Sequence, residues 1–169
     1  MPNAWDIVFK HATLFTMQDF KGLADHAMGC KNGKIVWIGP SAQLPPSEIS
    51  ARTQVVDAKG KVLTPGLMDC HTHLVYAGNR SHEFEARLSG ASYADIHAKG
   101  GGILSTVKAT REASEEALFD QSLKRLTAMI KQGVTTVEIK SGYGLDFETE
   151  RKMLRVAKRL GEATGISVV

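Results

Sequence analysis

Short apolar runs broken by turn-forming residues fill the first 65 positions, and a different rhythm follows. Asp6-Ile7-Val8-Phe9 and Thr13-Leu14-Phe15-Thr16 predict two short strands. Residues 25–31 and 34–38 flank Asn32-Gly33. That dipeptide supplies the two positive-φ positions of a type I′ turn, so the segment predicts a hairpin. Pro45-Pro46-Ser47 predicts a loop, and residues 54–57 and 61–63 predict strands on either side of Lys59-Gly60. No long stretch of helical period occurs before Gly66.

From Gly66 the period changes. Residues 67–75 form a mostly apolar run that predicts a strand, and residues 82–88 and 93–98 predict short helices. Gly100-Gly101-Gly102 interrupts the chain. Ser114 then caps a helix whose first turn carries Glu115 and Glu116, where the dipole favours negative charge. Phe119, Leu123, Leu126 and Ile130 recur at spacings of 4, 3 and 4 and predict its buried stripe. Gln132-Gly133 ends that helix, and the β-branched residues 134–139 predict a strand. After a glycine-containing loop at 141–145, Asp146 caps a second helix with the stripe Met153, Leu154, Ala157 and Leu160. Residues 166–169 open another strand. Strand, helix, strand, helix, strand is the order of a parallel sheet with crossover helices, an α/β fold.

Composition adds exclusions. With 43% hydrophobic and 23% charged residues, the balance is that of an ordinary globular protein. The formal charge of +3 comes from scattered Lys and Arg. Arg151-Lys152 and Lys158-Arg159 lie between apolar residues at helical spacing, so they predict solvated faces and no nucleic-acid partner. No apolar run approaches the roughly 20 residues that span a membrane. The first residues lack a basic segment followed by an apolar stretch, so no secretory signal is expected. Two cysteines, Cys30 and Cys70, argue against a disulfide framework and fit a cytoplasmic protein.

The candidate chemistry lies in Asp69-Cys70-His71-Thr72-His73. Side chains alternate along a strand, so His71 and His73 share a face, with Cys70 packed opposite. Two neutral imidazoles on one rigid face form half of a metal site, suited to zinc or iron(II). The bland alternative is a pair of histidines satisfying buried hydrogen bonds. Chemistry in parallel α/β folds sits at the carboxyl ends of strands, and Ser141-Gly142-Tyr143-Gly144 falls past the end of the next one. Both segments are therefore expected on one rim. Tyr143, between two glycines, suggests a contact role. Glu138 and Lys140 alternate with Ile139 on a strand and share a face, which leaves an ion pair or a metal-bridging lysine open. Gly100-Gly101-Gly102 lacks the Gly-Lys-Ser/Thr ending of a phosphate loop and predicts a mobile or close-packed turn. His82 and His97 are expected in solvent, and His11 and His26 away from the rim.

Pro65-Gly66-Leu67-Met68-Asp69-Cys70-His71-Thr72-His73 resembles the signature of the metal-dependent amidohydrolase superfamily. The stretches at 73–80, 83–93, 100–107 and 135–145, among them Glu138-Ile139-Lys140-Ser141-Gly142-Tyr143-Gly144, resemble the imidazolonepropionase family. That resemblance implies a (β/α)8 barrel preceded by a small β-sandwich domain. It implies hydrolysis of 4-imidazolone-5-propanoate to N-formimidoyl-L-glutamate in histidine degradation, with a water made acidic by one zinc or iron ion. It implies His71 and His73 as metal ligands, and Arg80, Tyr143 and Tyr93 as substrate-binding residues. A guanidinium suits a substrate carboxylate because its planar fork binds one bidentately. Without the resemblance, Arg80 would be read as a surface ion-pair partner, and for Tyr93 a packing role stands beside the substrate role.

The resemblance also places the third histidine ligand, the metal-binding aspartate and the acid/base residues further along than Val169. The catalytic residues are thus expected outside this chain. Residues 1–65 are expected to be part of the β-sandwich and residues 66–169 the first βα units of the barrel. The chain alone is expected to be inactive, and the whole enzyme to be a homodimer. Other cyclic amidohydrolases or deaminases of the superfamily remain open, as does a non-catalytic truncated module.

Overall fold

The structure, a computed structural model, describes residues 4–169. Internal packing divides them at Pro65/Gly66 into two compact units.

The first unit is one mixed sheet, not two packed sheets: order β3-β2-β1-β4, with β5 also against β1. The strands are β1 (Ile7–Phe15), β2 (Gly22–Lys31), β3 (Lys34–Pro40), β4 (Gln54–Asp57) and β5 (Val62–Leu63). The β-sandwich expectation is therefore matched only by this single layer. The two strands expected before residue 16 are one strand, β1. His11 sits at φ 54°, and the register with β2 shifts between Phe9 and Ala12. That bulge breaks the period-2 pattern, which is why the sequence reads as two pieces. The Asn32-Gly33 turn has φ 51° and 71°, the positive pair a type I′ turn needs. Trp5 lies over Gly29, where a Cβ would come within 2.1 Å of the indole, and stacks with Trp37 at 5.8 Å.

The second unit has three parallel strands, β6 (Leu67–Thr72), β7 (Val134–Ile139) and β8 (Ser167–Val168), in that order. Between β6 and β7 run α1 (Ser81–Leu88), α2 (Tyr93–Ala98), α3 (Ile103–Glu112) and α4 (Glu115–Lys131). One helix, α5 (Phe147–Thr164), joins β7 to β8. The caps follow the expectation: Ser114 Oγ accepts the amide of Ala117 at 3.1 Å, and Asp146 Oδ1 that of Thr149 at 2.8 Å.

Three expectations need correction. The strand predicted over 67–75 stops at Thr72, and Leu74, Val75 and Ala77 are buried without strand pairing. The buried line of α4 is Leu118, Ser122 and Leu126, with Phe119, Leu123 and Ile130 packed at its margin. Ser122 hid that line, because its hydroxyl accepts from Arg125 Nη2 and can be buried there. In α5 the inward residues are Met153, Val156, Ala157 and Leu160, and Leu154 is half exposed. A helix not anticipated, α3, buries Thr106, Val107 and Thr110.

Candidate functional site

The ends of β6 and β7 are pinned together. Thr72 Oγ1 donates to the Glu138 carbonyl at 2.7 Å, and the Lys140 amide to the Thr72 carbonyl at 2.8 Å. His71 is thus the penultimate residue of β6, and His73 the first beyond it. Their rings lie edge to face, 5.4 Å apart, and both are exposed. Cys70, on the alternate position, is exposed too, which corrects the expectation of a packed residue. His82 and His97 face solvent, and His11 and His26 lie in the first unit's sheet, as expected.

The loop after β7 closes on the histidines. The His73 ring is 5.6 Å from that of Tyr143, which is 5.9 Å from Tyr76. Gly142 has φ 140°, and a Cβ there would press within 3.2 Å of His73 Cε1. Tyr143 also packs against the buried core, which tempers the reading of a loop residue free of packing. The amides of Gly144 and Leu145 donate to Glu150 Oε1 at 2.7 and 2.8 Å, which ties the loop to α5. Burial pushes the Glu150 carboxyl up, but the Ser141 hydroxyl and the loop amides outweigh it and hold it below the usual carboxylate range.

Beyond His73 the chain leaves the sheet and hangs on the helices. Arg125 donates from Nε to the Leu74 carbonyl at 3.0 Å and from Nη2 to the Tyr76 carbonyl at 2.6 Å. Its guanidinium also stacks over the Tyr76 ring at 3.9 Å. The Ala77 amide donates to Thr110 Oγ1 at 3.1 Å. These bonds replace the ladder that stops at Thr72.

This segment delivers Arg80 to the start of α1. Arg80 Nε donates to Glu83 Oε2 at 2.8 Å, and Glu83 Oε1 accepts the Gly102 amide at 2.8 Å. Glu83 is 5% exposed. Burial pushes its carboxyl up, but the bonds from Arg80 and Gly102 outweigh this and hold it low. The glycine turn is close-packed: a Cβ on Gly101 would come within 2.6 Å of Ile96 Cγ2. A cleft of about 300 Å³ is lined by Tyr76, Asn79, Arg80, Thr106 and Tyr143. Tyr93 lies outside that lining and is 67% exposed, beside His97. A Cβ on Gly102 would nevertheless be 4.0 Å from both Arg80 Nη2 and the Tyr93 hydroxyl. The rings of His73 and Tyr143 therefore bridge the histidine pair to the Arg80 cleft, with Tyr93 at its edge.

Sequence reasoning gave no role to Glu83, Tyr76, Asn79 or Thr106. The available signal for Glu83 was its position three residues after Arg80 on a helix.

The Glu138–Lys140 ion pair is present, Nζ to Oε1 at 2.5 Å. Lys140 holds the Glu138 carboxyl below its usual range, against the opposing effect of burial. Glu138 Oε2 is buried, bonds to no described residue, and lies 4.0 Å from His71 Nδ1. A carboxylate behind one ring nitrogen suits an imidazole that offers its other nitrogen to a metal. Among the described residues, no group of three His, Cys, Asp or Glu side chains converges to hold an ion. The donors present fit half a site.

No protein-family model matches the chain. Curated sequences do. It is 59% identical to the imidazolonepropionase of Psychrobacter cryohalolentis over 147 residues, which is 86% of this chain and 34% of that protein. It is 55% identical to the Yersinia pseudotuberculosis enzyme of the same name over 165 residues, 96% of this chain and 40% of the relative. The chain is homologous to a portion of the imidazolonepropionases. With the Ralstonia nicotianae relative, at 54% identity and 41% of its length, the pattern is the same: the chain spans about two-fifths of these proteins or less.

Solved structures agree on the fold. A zinc-bound adenosine deaminase from Xanthomonas campestris superposes over 100% of this chain and 34% of its own, at a TM-score of 0.63 and 18% identity. A triazine hydrolase covers 96% of this chain and 34% of its own, at a TM-score of 0.61 and 18% identity. The imidazolonepropionase homologue thus has the α/β fold of amidohydrolases. No described helix is long and apolar enough to cross a membrane.

Proposed function

We propose that this chain is the amino-terminal part of an imidazolonepropionase, and that it carries one metal-binding edge and one substrate-binding edge of the site. The observation that carries this reading is the row His71, His73, Tyr143 and Arg80, linked by ring contacts and one shared cleft. In the whole protein, β6 to β8 would be the first strands of a (β/α)8 barrel, and the first unit's sheet one part of a small β-sandwich domain. His71 and His73 would hold a divalent ion, zinc or iron, together with ligands on later strands. Such an ion would supply a nucleophilic water at neutral pH for opening the cyclic amide.

The residues of this chain bind and orient. The terminal N–H groups of Arg80 take the propanoate carboxylate of 4-imidazolone-5-propanoate. Tyr143 stacks against the imidazolone ring, and Tyr93 offers its hydroxyl at the edge. The closing loop and Tyr76 exclude water from one wall. The product of ring opening is N-formimidoyl-L-glutamate. We assign the whole enzyme to the cytoplasm as a homodimer, acting on a small molecule.

The test is turnover by the complete polypeptide. Hydrolysis of 4-imidazolone-5-propanoate in preference to hydantoin, dihydroorotate and cytosine is the expected result. Preference for one of the others assigns the chain to a different amidohydrolase or deaminase. The 169-residue chain alone should hydrolyse none of them, because among the described residues no third metal ligand converges on His71 and His73.

A further inference from the structure

The geometry points to Glu83 as a positioning residue: it sets the guanidinium of Arg80 so that the site selects an acid over a neutral analogue. The inference rests on the reading of Arg80 as the carboxylate clamp and adds the residue that makes Arg80 a clamp.

Glu83 is a buried carboxylate with both oxygens engaged. One accepts from Arg80 Nε and the other from the Gly102 amide, each at 2.8 Å. Arg80 itself is 46% exposed along its side chain. A half-exposed arginine without a tether samples many rotamers, and a planar fork is useful only when aimed. The bond to Nε uses the side edge of the guanidinium. It leaves the terminal edge, with two parallel N–H groups, for bidentate contact in the cleft lined by Tyr76, Thr106 and Tyr143. The second bond fixes the tether to the close-packed glycine turn, and Gly102 lies beside both Arg80 Nη2 and the Tyr93 hydroxyl. Glu83 also offsets the charge of Arg80. Attraction for anions in general is weakened, and selection falls on the shape of the fork.

Glu83→Gln separates tether from staple. The Gln carbonyl oxygen can keep the Gly102 bond, which turns its NH2 group toward Arg80 Nε–H. Two donors then face each other, and the guanidinium loses its aim while the turn stays held.

The experiment uses the complete enzyme with 4-imidazolone-5-propanoate and its propanamide analogue. Glu83→Gln should raise KM for the acid about 10- to 100-fold, the usual reach of an orienting group, and leave kcat within about threefold. The acid-to-amide ratio of kcat/KM should fall about tenfold or more; it is measured in one preparation and does not depend on the fraction folded. In an Arg80→Ala background, Glu83→Gln should change KM less than about twofold, since the two act through one contact. An acid-to-amide ratio that is unchanged or raised in Glu83→Gln overturns the inference, as do effects that multiply in the double variant. If Arg80→Ala alone leaves the ratio intact, Arg80 is no clamp and both readings fall. If Arg80→Ala collapses the ratio and Glu83→Gln does not, only the role of Glu83 falls.

Discussion

The two edges of the candidate site are built in opposite ways. On the histidine edge, His71 and His73 touch neighbouring rings and little else, and the carboxylate oxygen nearest His71 is 4.0 Å away without a bond. On the arginine edge, Arg80 and Gly102 each donate at 2.8 Å to one oxygen of the buried Glu83 carboxylate. One edge is complete from local contacts, and the other has donors still to be used. Buried polar groups demand partners, whereas exposed imidazoles tolerate their absence because water serves them. Function and stability should therefore respond differently at the two edges.

The largest effect expected is functional and leaves the fold alone. His73→Ala should lower turnover by the complete enzyme on the order of 10³-fold, equivalent to about 4 kcal/mol of lost transition-state stabilisation. The urea midpoint of the metal-free protein should hardly move, since exposed substitutions usually stay within about 0.5 kcal/mol. A clear loss of stability would erase the contrast. Next comes Arg125→Met, which keeps the aliphatic stem and removes the bonds to Leu74 and Tyr76. Two hydrogen bonds from a charged, half-buried group put the loss at about 3 kcal/mol in urea unfolding, and hydrogen exchange should quicken at residues 74–80.

Acid should withdraw the stability that the paired carboxylates of both edges contribute. The folded-state carboxyls of Glu83, Glu138, Glu150 and Asp146 all titrate lower than usual. A lowered folded pKa gives stability that is fully present above the unfolded value, about 4.3 for Glu and 3.9 for Asp, and lost as pH falls through the folded value. Stability should be flat from pH 7 to about 5 on this account and decline below about 4.3, with a shallower decline in Glu83→Gln. An equal slope in both proteins would remove Glu83 from the set. The smallest effect is assigned to Tyr93→Phe, under about threefold in KM, because its ring is mostly exposed and its hydroxyl lies beside Gly102, outside the cleft lining.

What was legible in the chain has a physical pattern. Signals that act within a few residues were readable: the positive-φ pair Asn32-Gly33, the caps Ser114 and Asp146, and the His-x-His spacing at a strand end. Features set by distant partners were not. Helix α3 lacks a capping side chain, since Gly102 occupies that position, and it buries two threonines where an apolar stripe would announce it. The buried line of α4 passes through Ser122, whose partner Arg125 makes a hydroxyl acceptable there. Glu83 looked like one more charge on a short helix until Gly102, 19 residues on, supplied its second bond. The proposed ligand pair His71 and His73 and the proposed clamp Arg80 were read from motifs, but their alignment through Tyr143 depends on the sheet register of β6 and β7.

Arg125 carries a consequence for the order of events during folding. The carbonyls it holds, at Leu74 and Tyr76, are about 50 residues earlier in the chain. Helix α1 can form without that guanidinium, but the stretch before it stays unfastened until α4 has been made and docked, and β6 waits for β7, which follows α4 in the chain. Closing so long a loop is slow relative to local helix and turn formation. The span that carries the histidine pair toward Arg80 is then among the last parts of the second unit to set, so the histidines reach their final spacing only after the scaffold around them is in place.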